Sequence, residues 1–445
     1  MIAQYMKELM GSRSASAIRR MFEEGIALKK VHGEENVFDF SLGNPDLDPP
    51  EKVLAAIEEV ARDRAHGAHG YMPNAGYGWV RDEMARKVSS EQGVEVGGQN
   101  VVMTVGAASA LNCVLKAVVN PGDEVVVPAP FFAEYRNYVR NHGGVLVEVP
   151  PGDGFSLDVG AIGARLTERT AAVLINSPNN PTGRVYRRGE IEALAEVLRN
   201  HAESCSRAPL LVCDEPYRAI TYDGAAVAPA FQCYDDSVVV TSFAKDLSLP
   251  GERLGYVAVS PRCSFASELV GAVTFSLRVL GCVNAPAFFQ KVVAKSWDAE
   301  VDYSSYERRR DLLMGILDRV GIEYARPEGA FYLFCMVPGR FSGGDAEFCD
   351  LLKKHLVLCA PGAGFGGPGW FRLAYCVPES TIVNSERAFR AAVAAIGCRF
   401  SAVDKSRRCM NEDSYGFCGG RSLREDGRSC RRGVRPCRKS QRAGA

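Results

Sequence analysis

The sequence predicts an α/β protein whose main sheet is mostly parallel, accompanied by a smaller α+β domain. Three observations carry that expectation. From about residue 100 to 260, helical stretches alternate with short apolar runs. Several of those runs are nearly continuous Val, Ile and Leu, as strands buried on both faces require, whereas a strand with one wet face alternates. After residue 301 the pattern changes to charged helices between a few apolar strands. A chain of 445 residues also exceeds what one small core needs and suits more than one domain.

Taken in order, residues 13–32 read as an amphipathic helix, with Ile18, Met21, Phe22 and Ile26 on one face. Glu51–Ala65 repeats that spacing through Val53, Leu54, Ile57 and Val60. The expected strands are Glu124–Val127, Val145–Val149, Ala171–Ile175, Leu210–Cys213, Val238–Thr241 and Tyr256–Val259. Further on come a charged helix Tyr303–Val320, an apolar stretch Ala330–Val337, a helix Asp345–His355 and a last strand near Phe371–Cys376. The expected division is an N-terminal segment 1–44 belonging to the small domain, a large domain 45–290, the small domain 291–399 and a disordered basic tail 400–445.

Charge and composition exclude several functions. The net charge is zero, but residues 401–445 hold twelve Lys/Arg against five Asp/Glu, a net +7, which leaves about −7 on the body. The body has no nucleic-acid footprint, and the Arg-rich tail reads as a solvated appendage. No stretch reaches the roughly 18 apolar residues of a membrane span, and the N-terminus lacks the apolar core of a secretory signal. Fifteen cysteines, an odd number spread along the chain, read as reduced cytoplasmic thiols. Cys409, Cys418, Cys430 and Cys437 of the tail have neither paired spacing nor histidine partners, so no metal site is expected.

Four segments carry candidate chemistry. In Ser242-Phe-Ala-Lys245, followed by Gly251-Glu-Arg253-Leu-Gly255, a lysine lies just past an apolar run, between a serine and an arginine. A desolvated lysine beside cations is a nucleophilic amine able to form a Schiff base with an aldehyde. Arg253 offers a permanently charged fork to an anion such as phosphate, and Ser242 adds a hydroxyl. Val105-Gly106-Ala107-Ala108-Ser109 opens a helix whose free N–H groups suit a phosphate, although Gly-Ala-Ala also simply starts helices. Asp214, in Leu211-Val-Cys-Asp214-Glu-Pro-Tyr217, ends a buried strand where a carboxylate needs a partner or caps the next helix. Arg372, in Trp370-Phe-Arg372-Leu-Ala-Tyr375, needs an anion among apolar neighbours, whether a substrate carboxylate or an internal acid.

Together with Asn176-Ser-Pro-Asn179-Asn180-Pro181-Thr182-Gly183, these segments resemble the class I/II aminotransferases, which are aspartate-aminotransferase-like pyridoxal-phosphate enzymes of fold type I. The resemblance covers about residues 15–398. It implies a seven-stranded sheet in the large domain and pyridoxal 5′-phosphate as cofactor. It makes Lys245 the Schiff-base lysine and pairs Asp214 with the pyridine nitrogen. Tyr217 and Asn180 then meet the phenolic oxygen, Phe132 stacks on the ring, and Gly106, Ala107, Ala108, Ser242 and Arg253 hold the phosphate. It assigns the substrate carboxylate to Arg372, Asn180 and Gly43, and it makes Asn180–Pro181 a plausible cis bond. Tyr71 would reach the phosphate of a neighbouring subunit, which implies a homodimer with shared sites.

The function implied is ping-pong transfer of an amino group between an L-amino acid, aspartate-like in the first instance, and a 2-oxo acid such as 2-oxoglutarate. Alanine or aromatic substrates, and β-elimination at a C–S bond by a lyase of the same fold, stay open. A pyridoxal-phosphate-sensing regulator would need a DNA-binding module, for which the segment before residue 35 has no room. Gly362-Ala-Gly-Phe-Gly366-Gly367 fits a dinucleotide-binding spacing but precedes a strand, so it reads as a flexible loop.

Overall fold

The computed structural model describes residues 2–11, 17–205 and 207–412. Seven strands form the main sheet in the order Val101–Thr104, Gly255–Val259, Ser237–Ser242, Leu210–Asp214, Thr170–Asn176, Glu124–Pro128 and Val145–Val149. Gly255–Val259 runs antiparallel to both neighbours, and every other pairing is parallel. Six strands are buried along their whole length, and Val145–Val149 at the edge is largely wet. The near-continuous apolar runs therefore mark strands covered on both faces.

One face of the sheet packs against helices Gly78–Gln92 and Arg188–Ser204 through Val80, Met84, Leu194 and Leu198. The other face packs against Gly106–Val118 and Ala266–Val279 through Leu111, Val114, Leu269 and Val273. A separate core gathers Phe331, Leu333, Phe371 and Leu373 with Leu313 and Leu317 of helix Ser304–Val320 and Phe348 of helix Asp345–Lys354. Its four-stranded antiparallel sheet runs Ala360–Pro361, Trp370–Ala374, Tyr332–Met336 and Tyr324–Ala325. The N-terminal strand Phe38–Asp39 pairs with Val357–Leu358. Ala374 N–H then bonds Phe40 O at 2.8 Å, which delivers Ser41 to Gly43 to the end of the Arg372 strand.

Helices begin at Ala17 and Glu51 and end at His32 and Ala61. The strand Val101–Thr104 had no counterpart among the expected runs. Gly362–Phe365 is a turn of 3₁₀ helix, with Phe365 O accepting from Phe131 N–H at 2.9 Å. The last helix spans Glu379–Glu412; of the disordered tail expected over 400–445, residues 400–412 fall within this helix and 413–445 lie outside the described residues. No described helix is long and apolar enough to cross a membrane.

Candidate active site

Parallel pairing brings strand ends together. Asn176 is in register with Asp214, Asp214 with Val240, and Ser242 with Gly255. The carboxyl ends of an open α/β sheet are where such folds bind ligands, and here they carry the expected polar residues.

Asp214 is buried, and its Oδ2 accepts from the Tyr135 hydroxyl, while its Oδ1 has no partner. Burial pushes its carboxyl up to about 7, the Tyr135 bond opposes this, and the Glu215 charge adds to it. Asn176 organises the neighbouring ends: its Nδ2 donates to Asp214 O at 2.8 Å and its Oδ1 accepts from Asn180 N–H at 2.7 Å.

Lys245 lies in the single turn Phe243–Asp246 that follows strand Ser237–Ser242. Its Nζ donates to Gly43 O at 2.6 Å and stands 5.4 Å from the Phe331 ring centre. Burial pulls its ammonium down to about 8; Cys376 opposes this, and Arg372 and Arg253 each lower it by a smaller amount.

Arg253 has a positive φ of 54° and donates only to Pro250 O, at 3.0 Å. Among the described residues no carboxylate pairs with it. A Cβ on Gly106, which has φ +76°, would lie 3.0 Å from Arg253 Nη2. A Cβ on Gly255 would lie 2.4 Å from Thr241 O and 2.9 Å from the Gly106 carbonyl carbon. Both glycines are thus required for the guanidinium to sit against the start of helix Gly106–Val118, whose first turn has no side-chain cap. Ala107 and Ala108 follow in that turn, and Ser242 is buried one residue before the Lys245 turn.

Arg372 is 3 % exposed, yet no described carboxylate pairs with it. Its Nη1 donates to Asn180 Oδ1 at 2.9 Å and its Nη2 to Ser41 O at 2.7 Å, while Nε has no partner. The guanidinium lies 4.6 Å from the Tyr332 ring and 4.8 Å from Phe365. The internal-acid alternative for Arg372 therefore fails among the described residues.

Tyr332 is a site residue that the sequence reading did not single out. Its hydroxyl is 2.8 Å from that of Tyr217, and a Cβ on Gly43 would fall 2.0 Å from it. Burial holds the Tyr217 phenol well above its ordinary range. Tyr135 and Asn176 were also missed as partners. Phe132 packs edge-on against Tyr135, with ring centres 5.6 Å apart. Tyr71 stands outside this cluster, 93 % exposed. Asn180–Pro181 is trans; among the described residues the cis bonds are Ala129–Pro130 and Ser177–Pro178.

The sequence model described as aminotransferase class I and II matches residues 35–389. The chain is 33% identical over 352 residues to an aspartate/prephenate aminotransferase of Thermus thermophilus, covering 78% of this chain and 88% of that one. Its fold superposes on an aminotransferase from Eubacterium rectale with a TM-score of 0.84 and 38% identity, covering 89% of this chain and 99% of the other. It also superposes on an aspartate aminotransferase from Thermus thermophilus, solved with maleate, with a TM-score of 0.76 and 29% identity over 86% and 99% of the two chains.

Proposed function

The chain belongs to the class I and II aminotransferases, and from that membership we propose that it binds pyridoxal 5′-phosphate and moves an amino group between an aspartate-like L-amino acid and a 2-oxo acid such as 2-oxoglutarate. The observation that carries the cofactor assignment is the bare, buried Oδ1 of Asp214, at the strand ends that also present Lys245. A protonated ring nitrogen is the partner that this carboxylate lacks.

The other residues fit the same group. Arg253, Ser242 and the first turn at Gly106, Ala107 and Ala108 would hold the phosphate. Tyr217 and Asn180 would meet the phenolic oxygen, Phe132 would face the ring, and Lys245 would join the aldehyde. When bound, the cofactor supplies an electron sink for the carbanion at the substrate Cα.

This chain's residues do the rest. Arg372, oriented by Asn180 and Ser41, would grip the α-carboxylate with its remaining N–H groups, with the Gly43 N–H beside it. Burial brings the Lys245 ammonium down to about 8, so part of it is free amine near neutral pH, and it would remove the Cα proton and return one on the reverse half-reaction. Movement of residues 291–399 with the N-terminal segment over residues 45–290 would exclude water. Tyr71, unpacked on the surface of one chain, would complete the phosphate site of a second, which makes the working unit a homodimer. The dicarboxylate preference is supported by the aspartate/prephenate relative and by the neighbour solved with maleate.

Lys245→Ala should abolish turnover in a coupled aspartate/2-oxoglutarate assay without added amine. Multiple turnovers by that variant would refute the assignment, and pyruvate released from cysteine conjugates would favour the lyase outcome.

A further inference from the structure

Asp214 and Lys245 are each followed by a carboxylic acid, Glu215 and Asp246, and these two line a different pocket. Glu215 and Asp246 face a small cavity of about 10 Å³, together with Lys87 and Glu91 of helix Gly78–Gln92, Arg218, and Tyr256 of strand Gly255–Val259. Three carboxylates thus meet two cations. Glu215 accepts from Arg218 at 2.7 Å and from Gln92 at 3.4 Å. Lys87 bonds Glu91 directly, and its Nζ is 3.9 Å from Asp246 Oδ2. Tyr303 donates to the Asp246 carbonyl. Two atoms stay without partners, Asp246 Oδ1 and the hydroxyl of Tyr256, a residue with no exposed surface.

We propose that this cavity binds one water between Tyr256 and Asp246, and that Asp246 is a positioning residue for Lys245 whose proton neutralises the cluster. The room suits a single water, which needs two or more polar partners, and both orphaned groups belong to residues lining the space. Glu215 and Glu91 each have a direct cationic partner. Asp246 has only the distant Lys87, so the excess charge falls on it. A protonated Asp246 donates to the water and has no unpaired charge to bury. Its neighbour in the same turn, Lys245, then keeps a fixed backbone behind its amine. Burial pushes the Asp246 carboxyl up to about 6, partly offset by Lys87, and pushes Glu215 up to about 7 against the opposing charge of Arg218; the direct 2.7 Å bond from Arg218 keeps Glu215 the ionised partner, whereas no cation bonds Asp246 directly. The folded value lies above the ordinary 3.8, so the stability this proton contributes is complete below that value and is lost as pH rises through about 6.

The positioning role rests on the reading of Lys245 as the reacting amine; the water and the proton do not. The test uses the full-length holoenzyme as wild type, Asp246→Asn, Asp246→Ala and Tyr256→Phe. Asparagine keeps the neutral hydrogen bonds, so its melting temperature should gain on wild type between pH 5 and pH 8. Alanine should lower the melting temperature at both pH values and reduce kcat about tenfold at unchanged KM, with asparagine recovering both. A crystal structure should show one water bonded to Tyr256 and Asp246, lost in Tyr256→Phe. An equal wild-type-to-asparagine difference at both pH values, or an alanine variant with wild-type kcat, or a dry cavity, would overturn the proposal. If the melting differences and the water appear as expected but no variant transaminates, the failure belongs to the transaminase reading alone.

Discussion

Arg372 and Arg310 are sunk to the same depth in the smaller core, 3 % and 1 % exposed, yet they are treated oppositely. Arg310, on helix Ser304–Val320, reaches Asp223 at 2.9 and 3.3 Å and Asp311 at 2.9 Å, with Glu307 at 3.5 Å and the Tyr222 ring at 4.8 Å. Arg372, on strand Trp370–Ala374, has neutral partners only and one idle nitrogen. A folded chain supplies carboxylates to a structural arginine. Under the proposed function, Arg372 is left bare for a substrate carboxylate that arrives from solution. Asp214, with an empty oxygen at the carboxyl end of the sheet's central strand, is the same case with the sign reversed.

The contrast breaks if the two arginines respond alike to truncation. Arg372→Leu should lower kcat/KM by about a thousandfold while leaving stability within about 1 kcal/mol, because removing a buried charge without an ionic partner relieves its desolvation cost and offsets the two hydrogen bonds lost. Steady-state kinetics beside denaturant unfolding separates the two effects. In the cofactor-free protein the raised Asp214 carboxyl gives stability that is complete below its ordinary 3.8 and lost as pH rises through about 7, on the order of 4 kcal/mol in all. Asp214→Asn should remove that slope in melts of the cofactor-free enzyme, and bound cofactor should reverse it in the wild type by pairing the carboxylate. Arg310→Met should cost about 2 kcal/mol, with its half-exposed acids returned to water and substrate KM unchanged. Last, amine labelling of Lys245 in the cofactor-free protein should rise with pH through about 8, well below an ordinary lysine at 10.5; labelling midway near 10.5 would show a solvated amine.

Much of this was legible in the sequence because burial on two faces leaves a one-dimensional signature. The buried runs at 171–175 and 238–241 were each one residue short at both ends, while Val145–Val149 matched its expected bounds although it is the wet edge strand. Val101–Thr104 was not seen, since four residues that lead almost at once into an apolar helix show no period of their own. Charged and polar site residues announced themselves by being out of place in apolar runs, as Asp214 and Arg372 do. Tyr332 did not, because a tyrosine in an apolar strand reads as core. The crossing of Gly43 over its hydroxyl, the distance to Tyr217 and the Arg372 guanidinium 4.6 Å from its ring place it in the candidate site. Tyr135 is likewise 79 residues from Asp214 along the chain, a separation at which local pattern is silent.

The most direct test of the account is a half-reaction screen. Each amino acid is mixed with the pyridoxal-phosphate-loaded enzyme while the cofactor's absorbance and the released oxo acid are followed. The account predicts stoichiometric conversion of the cofactor to its amine form by aspartate, with one oxo acid released per site, and recovery on adding 2-oxoglutarate. Continuous pyruvate release from a sulfur-bearing amino acid with the cofactor spectrum unchanged, and no conversion by any amino acid, would contradict it.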